Sequence, residues 1–315
     1  MEHVRRSGKG KPGHPAKLVP NLPRLTEAFG AGTSFDRLQY LEAKLILKPD
    51  RFTSLQSFRD FGKIVRRAAK QVGAEFIESK RDDLRPQIRE IIFFDTLNFD
   101  LYANAFILRS RVPYVDGFPV GDPEIVFKFR HPDKQEAAAL DVRPRIEGKY
   151  RIKFKAEALP LKEETVRGYR ILYSHTCQFG HSQLRHPDKM SMATLRRIFP
   201  ALAKLNLSGV EEVRSVNGGI VEEVLLPLGK LDFDGVMSKC DIALWRTRGE
   251  HVPLVCEFAF HFKFDRNEHI AAKQTNVVAQ FYIPLQREVA ECLALGVTKT
   301  AMVYRLKGII PQSHE

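Results

Sequence analysis

The sequence predicts an α+β domain in which antiparallel strands dominate and close into a barrel, with three or four helices outside it. Two observations predict this. Period-two alternation of apolar and polar side chains recurs in roughly ten short segments bounded by Gly, Pro, Asn and Asp, whereas spacing at three and four residues is confined to a few stretches. At 315 residues, 43% hydrophobic and 28% charged, the chain can bury a sizeable core, which excludes a peptide hormone, a knottin and global disorder.

Residues 1–37 hold Gly, Pro and charge with neither period and read as a basic flexible arm, in which Arg5, Arg6, Lys9, Lys11, Lys17 and Arg24 stand against Glu2 alone. The main domain spans 38–308, and 309–315 is a short tail. Residues 40–48 alternate Leu41, Ala43, Leu45 and Leu47 against Glu42 and Lys44, the pattern of a strand with one buried face. Over 54–72, Leu55, Phe58, Phe61, Ile64, Val65 and Ala68 fall at helical spacing. Strands follow at 90–96, 105–112, 124–130, 150–158 and 167–173, then a helix over 194–205 that ends near Pro200. Further strands are expected at 210–216, 221–227, 239–246 and 254–263, helical spacing over 268–295 with a break at Pro284, and a last strand at 300–306. Asn217-Gly218-Gly219 reads as a hairpin turn and the segment from Asp232 to Gly235 as a turn, since Asn, Asp and Gly tolerate positive φ.

The formal charge is +12, which favours anionic partners such as phosphates, nucleic acid or a membrane surface. Charge also recurs on strand faces. Arg109, Arg111, Lys128, Arg130, Arg151, Lys153, Lys155, Arg214 and Arg246 alternate with apolar neighbours, and so do Glu42, Glu157, Asp241 and Glu257. On an open sheet this is a solvated outer face. On a sheet curled with that face inward it encloses a channel matched to a polyanion and to divalent ions.

Four segments carry a resemblance: Leu41-Glu-Ala-Lys44, Phe93-Phe-Asp-Thr96, the run from Asp100 to Arg111 that ends Leu108-Arg109-Ser-Arg111, and Phe127-Lys-Phe-Arg130. In this ordered series the chain resembles CYTH domains, the triphosphate tunnel metalloenzymes, as a divergent member. Weaker matches continue through Lys153 to Glu157, Arg214, Asp241, Glu257, Lys299 and Lys307. The resemblance implies an eight-stranded antiparallel barrel whose tunnel binds a small polyanionic phosphate substrate, and metal-dependent hydrolysis of a triphosphate or polyphosphate. It implies Glu42, Lys44, Arg109, Arg111 and Glu257 as catalytic residues, and Lys128, Arg130, Lys153, Lys155, Arg214 and Arg246 as substrate-binding residues. Mg²⁺ or Mn²⁺ would be held by Glu42, Asp241 and Glu257, because hard cations take oxygen ligands.

Two departures from the family pattern stand out. Tyr40 occupies the position of the first carboxylate in Glu-x-Glu-x-Lys, and Leu254-Val-Cys-Glu257-Phe-Ala-Phe offers one carboxylate where the family commonly has two. Phosphate binding needs mainly the basic residues, so a non-catalytic or divergent phosphate-compound or nucleotide-binding protein is the alternative. Nucleic-acid binding competes through the basic arm and the 22 Phe and 8 Tyr, yet Phe127, Phe129 and Phe154 fall on apolar strand faces, as core residues do. His175, Cys177, His181 and His186 lack zinc-ligand spacing and read as surface or turn residues. The four scattered cysteines fit free thiols, and the absence of a signal sequence or an apolar span predicts a cytoplasmic protein without a membrane segment. Exposed strand edges or the last helices offer a surface for a homodimer, which no segment specifies.

Overall fold

Strands with one apolar and one charged face need two different environments, and a sheet that curls until its edges meet supplies both. The computed structural model describes residues 37–80, 85–163, 166, 168–183, 191–264, 276 and 278–308; the expected basic arm and tail therefore lie outside the described residues, as does His186. Among the described residues twelve strands form one sheet: β1 (Tyr40–Leu47), β2 (Glu75–Glu78), β3 (Gln87–Asp95), β4 (Phe106–Val115), β5 (Phe118–Pro119), β6 (Glu124–His131), β7 (Tyr150–Pro160), β8 (Tyr169–Gly180), β9 (Arg214–Ser215), β10 (Val221–Phe233), β11 (Val236–Thr247) and β12 (Pro253–Lys263). Neighbours run β10-β11-β12-β1-β7-β8-β6-β4-β3, and β3 pairs again with β10, so nine strands make a closed ring to which β2, β5 and β9 are short additions.

The expected eight strands and wholly antiparallel pairing are thus corrected to twelve strands with one parallel pair. That pair is β1 with β7, in the register Tyr40↔Lys155, Glu42↔Glu157. A parallel neighbour needs a long crossover, and the chain supplies one by building β2 to β6 before it returns as β7.

The apolar faces point outward and are covered by helices. α1 (Leu55–Gln71) opens with Ser54, whose hydroxyl accepts the Ser57 N–H, and buries Phe58, Phe61, Val65 and Ala68 against Leu41, Leu45, Phe258 and Phe260 of the ring. α2 (Asp100–Ala103) and α3 (Lys134–Ala139) are short, and α4 (Met192–Ile198) stops before Pro200, as the sequence predicts. Beyond it Phe199 stacks on Phe127 with ring centroids 4.0 Å apart. α5 (Ile283–Glu288) carries Pro284 in its first turn, where a missing N–H costs nothing. No helix among the described residues is long and apolar enough to cross a membrane.

Two expected elements change. The strand expected at 300–306 is a helix, α6 (Lys299–Tyr304): Thr298 caps it by accepting the Ala301 N–H, and Thr300, Ala301, Val303 and Tyr304 bury one helical face. The Asn217 turn has the expected positive φ of 58°, but it closes no hairpin; its amide donates to the Val303 and Tyr304 carbonyls and so finishes α6. The strand expected at 210–216 shrinks to the two residues of β9. The turn expected at Asp232 to Gly235 is the β10–β11 connection, with Asp234 and Gly235 both at positive φ. His175 and Cys177, expected near a turn, are buried on β8, which runs further than its alternation shows. The cysteines are free thiols, and Cys177, Cys240 and Cys256 are buried.

Asp95 joins this outer layer to the ring. Its carboxylate is buried and accepts the N–H groups of Thr96, Leu101 and Tyr102 and the hydroxyl of Tyr304, tying β3 to α2 and α6. Burial pushes its carboxyl up to about 6 despite those donors. Asp95→Ala leaves buried donors unpaired and should lower the unfolding free energy by about 2–3 kcal/mol in urea titration; an unchanged midpoint would remove it from the structural role.

Candidate anion-binding channel

Because the outer face is apolar, every second residue of the ring points into its interior, and that is where the charge lies. A cavity of 280 Å³ is lined by Glu42 and Lys44 of β1, Arg89 of β3, Arg109 and Arg111 of β4, Lys128 and Arg130 of β6, Lys153, Lys155 and Glu157 of β7, Glu223 of β10, Asp241 of β11, Glu257 and His261 of β12, and Lys299 of α6. Nine Lys and Arg face five carboxylates. The solvated-face reading of these charges is therefore overturned. Phe127 and Phe154 are fully buried outside the channel, as expected of core residues.

The carboxylate that organises the channel is Glu157, 1% exposed. The parallel register sets it beside Glu42, and Lys44 bridges the two at 3.1 and 3.2 Å. Lys128, Arg130 at 3.3 Å and the Ser174 hydroxyl complete its surroundings. Burial opposes charge on Glu157, but Lys128, Lys44 and Arg130 outweigh it and hold the carboxyl well below the usual range. Glu42 is likewise held low, against burial, by Lys155 at 3.3 Å and by Lys44. At the inner end Lys299 pairs with Glu257 at 2.8 Å and with Glu223 at 3.6 Å, and its ammonium lies 4.7 Å from the centre of the Trp245 ring.

Two channel cations lack such partners. Among the described residues no carboxylate pairs with Arg109; its guanidinium lies 5.9 Å from the Phe93 ring centre, and its buried Nε has no hydrogen-bond acceptor. Burial, then repulsion from Arg111, pushes it down to about 9, still charged at neutral pH. Lys153 also has no ion pair among the described residues, and burial followed by Lys155 and Arg151 pushes it down to about 8. Taking a cation partly out of water without a counter-charge is costly unless an anion joins it.

Asp241 shows the opposite crowding. Burial, then Glu42 (relieved in part by Lys299), then Glu257 and Glu223 push its carboxyl up to about 7. Glu42, Asp241 and Glu257 do line one cavity, yet among the described residues no group of three or more His, Cys, Asp or Glu is arranged as a metal cage. A Mg²⁺ ion commonly uses one or two carboxylates and completes its shell with water and substrate oxygens, which suits Asp241 and its acidic neighbours.

Of the residues singled out in the sequence, Glu42, Lys44, Arg109, Arg111, Lys128, Arg130, Lys153, Lys155, Asp241 and Glu257 come together here. Arg214 and Arg246 do not. Arg214 is exposed on β9, because its strand is only two residues long, and Arg246 points to the outer side, where it pairs with Glu222 next to a bulge in the β11–β12 register. Sequence reasoning left Glu157, Glu223 and Arg89 out of the site; the alternation that exposed Lys153 and Lys155 also marks Glu157. Asp95, inside one of the four segments that carry the resemblance, accepts backbone N–H groups as a cap and does not line the channel.

No protein-family model and no curated protein matches the chain. Among solved structures it is similar to an adenylyl-cyclase-named protein of Hippeastrum described as having a dominant triphosphatase activity, with 14% identity, 88% of this chain and 100% of that one covered, and a TM-score of 0.41. A Bacillus halodurans protein named as a candidate adenylate cyclase follows at 11% identity, 84% and 95% coverage and a TM-score of 0.37. A Pyrococcus horikoshii protein has 11% identity, 80% and 93% coverage and a TM-score of 0.33. At these identities and scores, function rests on the channel itself.

Glu157→Gln would leave Lys44, Lys128 and Arg130 without their shared counter-charge. It should cost about 3 kcal/mol of unfolding free energy, and added tripolyphosphate should restore part of the loss. Denaturant titration with and without the anion checks both.

Proposed function

We propose that this protein is a divalent-metal-dependent hydrolase of a triphosphate or polyphosphate phosphoanhydride. The observation that carries the reading is Arg109, a half-buried guanidinium whose buried Nε has no acceptor and which no carboxylate among the described residues pairs with, in a channel where cations outnumber carboxylates. Arg109 and Arg111 would take phosphate oxygens with planar forks, and Lys44, Lys128 and Arg130 would share their hydrogen bonds between Glu157 and the substrate. Lys153 and Lys155 would hold phosphates nearer the entrance. In hydrolysis a water oxygen bonds to the terminal phosphorus as the bond from that phosphorus to the bridging oxygen breaks; the bridging oxygen leaves on the shorter chain and the water's proton passes to solvent. Mg²⁺ or Mn²⁺ beside Asp241, with Glu42 and Glu257 as its acidic neighbours, would supply neutralisation of the phosphate chain and activation of that water.

A second reading has its own support. Glu42 and Glu257 are both tied to lysines, and Tyr40 stands where a further carboxylate is expected, an arrangement that also suits a protein which binds a phosphate compound without cleaving it. Phosphate release from inorganic triphosphate, ATP, GTP, thiamine triphosphate and long polyphosphate, with Mg²⁺ or Mn²⁺ and an EDTA control, separates the two. Turnover abolished by EDTA supports the hydrolase; tight binding without turnover supports the binding protein.

Arg109→Ala should raise KM about 10- to 100-fold while leaving the melting temperature unchanged or higher, because among the described residues no carboxylate pairs with the charge it removes. Unchanged kinetics in a folded variant would remove Arg109 from the site. The pH dependence follows from Lys153: its charge is present below about 8 and is lost as pH rises through that value, so KM should increase between about pH 7 and 9. Lys153→Arg, which keeps its charge, should flatten that increase.

A further inference from the structure

The channel has a floor and a rim of different character. Ile46, Leu159, Trp245, Thr298 and Thr300 are all buried and line its inner end. At the opposite end a second cavity of 540 Å³ shares Glu42, Lys153, Lys155 and His261 with the channel and opens onto Lys230 of β10, Lys239 of β11 and Lys263 of β12. These three lysines are exposed and have no ion pair among the described residues. The one carboxylate of this cavity, Glu42, is already engaged by Lys44 and Lys155.

The sheet register makes the crowding specific. Lys230 and Lys239 stand directly opposite each other across β10 and β11, Lys239 is opposite His261, and Lys263 is opposite Tyr40, which is itself opposite Lys155. Like charges directly opposite in a sheet destabilise it, and among the described residues no ion pair offsets them; a bound anion would. We propose that this rim is a second anion subsite, holding the distal phosphates of a linear polyphosphate longer than three units whose end lies in the channel. The inference rests on the hydrolase reading for the inner site only. The Tyr40 ring that lines this cavity already carries a cation, with Lys155 5.4 Å from its centre. The rim therefore favours a repeating anion over a stacked nucleobase.

The test compares the wild-type protein with a triple variant, Lys230→Gln, Lys239→Gln and Lys263→Gln, on tripolyphosphate and on size-fractionated long polyphosphate. The variant should raise KM for the long chain about tenfold and change that for tripolyphosphate less than twofold. A triple Lys→Arg variant should behave as wild type. Equal effects on both substrates, no effect on either, or a larger loss with GTP or a 5′-triphosphate RNA would overturn the proposal. If the wild-type protein turns over none of the phosphoanhydrides, the hydrolase reading falls, and calorimetric titration with the long chain still decides the rim. A Kd weakened about tenfold in the glutamine variant supports it, whereas an equal Kd overturns it.

Discussion

Glu157 is the constraint on which the interior depends. One buried carboxylate on β7 gathers Lys44 from β1, Lys128 and Arg130 from β6 and Ser174 from β8, so four strands meet at a single charge. Removing ions from water is expensive, and a buried ion pair seldom adds net stability over an apolar pair of the same size. The interior is therefore a cost met elsewhere in the fold. An entering phosphate would compete with Glu157 for cations that are already positioned, which reduces the side-chain ordering that binding would otherwise require.

That cost is met outside the ring. Most small domains put apolar side chains at the centre, whereas this one places its large apolar clusters between the ring and its helices. Phe61 against Phe258 and Phe127 against Phe199 hold two sides of the ring, while Tyr304 with Phe93, Phe99 and Tyr102 joins the apolar cluster that closes the inner end of the channel. Except at that inner end, packing and charge occupy opposite faces of the same strands. A substitution on one face can be read largely without the other, since successive side chains on a strand point apart.

Much of this division was legible in the sequence. Where alternation is strict, as in β1, β4, β6 and β7, both the strand and the inward charge follow from period two alone, which is why Glu42, Lys44, Arg109, Arg111, Lys128 and Lys153 were found. The misses have physical causes. Residues 300–306 carry Thr and Val, which favour strands locally, but the Thr298 cap and the Asn217 clamp make a helix of them, and so bring Lys299 to the channel floor. Arg214 alternates as a strand residue should, yet its neighbours form turns, leaving it on a two-residue edge. The partner of β1 lies beyond sequence patterning altogether, because the parallel pairing with β7 is chosen by the crossover between them.

Ring closure also sets an order of assembly. β1 pairs with β12 between residues 40 and 263, and β3 with β10 between residues 87 and 225, so the contacts that complete the channel are among the longest in sequence. Folds dominated by such contacts form slowly, because loop entropy is lost before pairing compensates. A chain released before residue 253 has no β12, and the edges of β1 and β11 that it would join are left bare. Such a product would keep most of the apolar face of the sheet but hold no enclosed cavity, and its unpaired edges would be templates for aggregation. The last long strand therefore serves the protein twice, as a wall of the channel and as the cover for two edges.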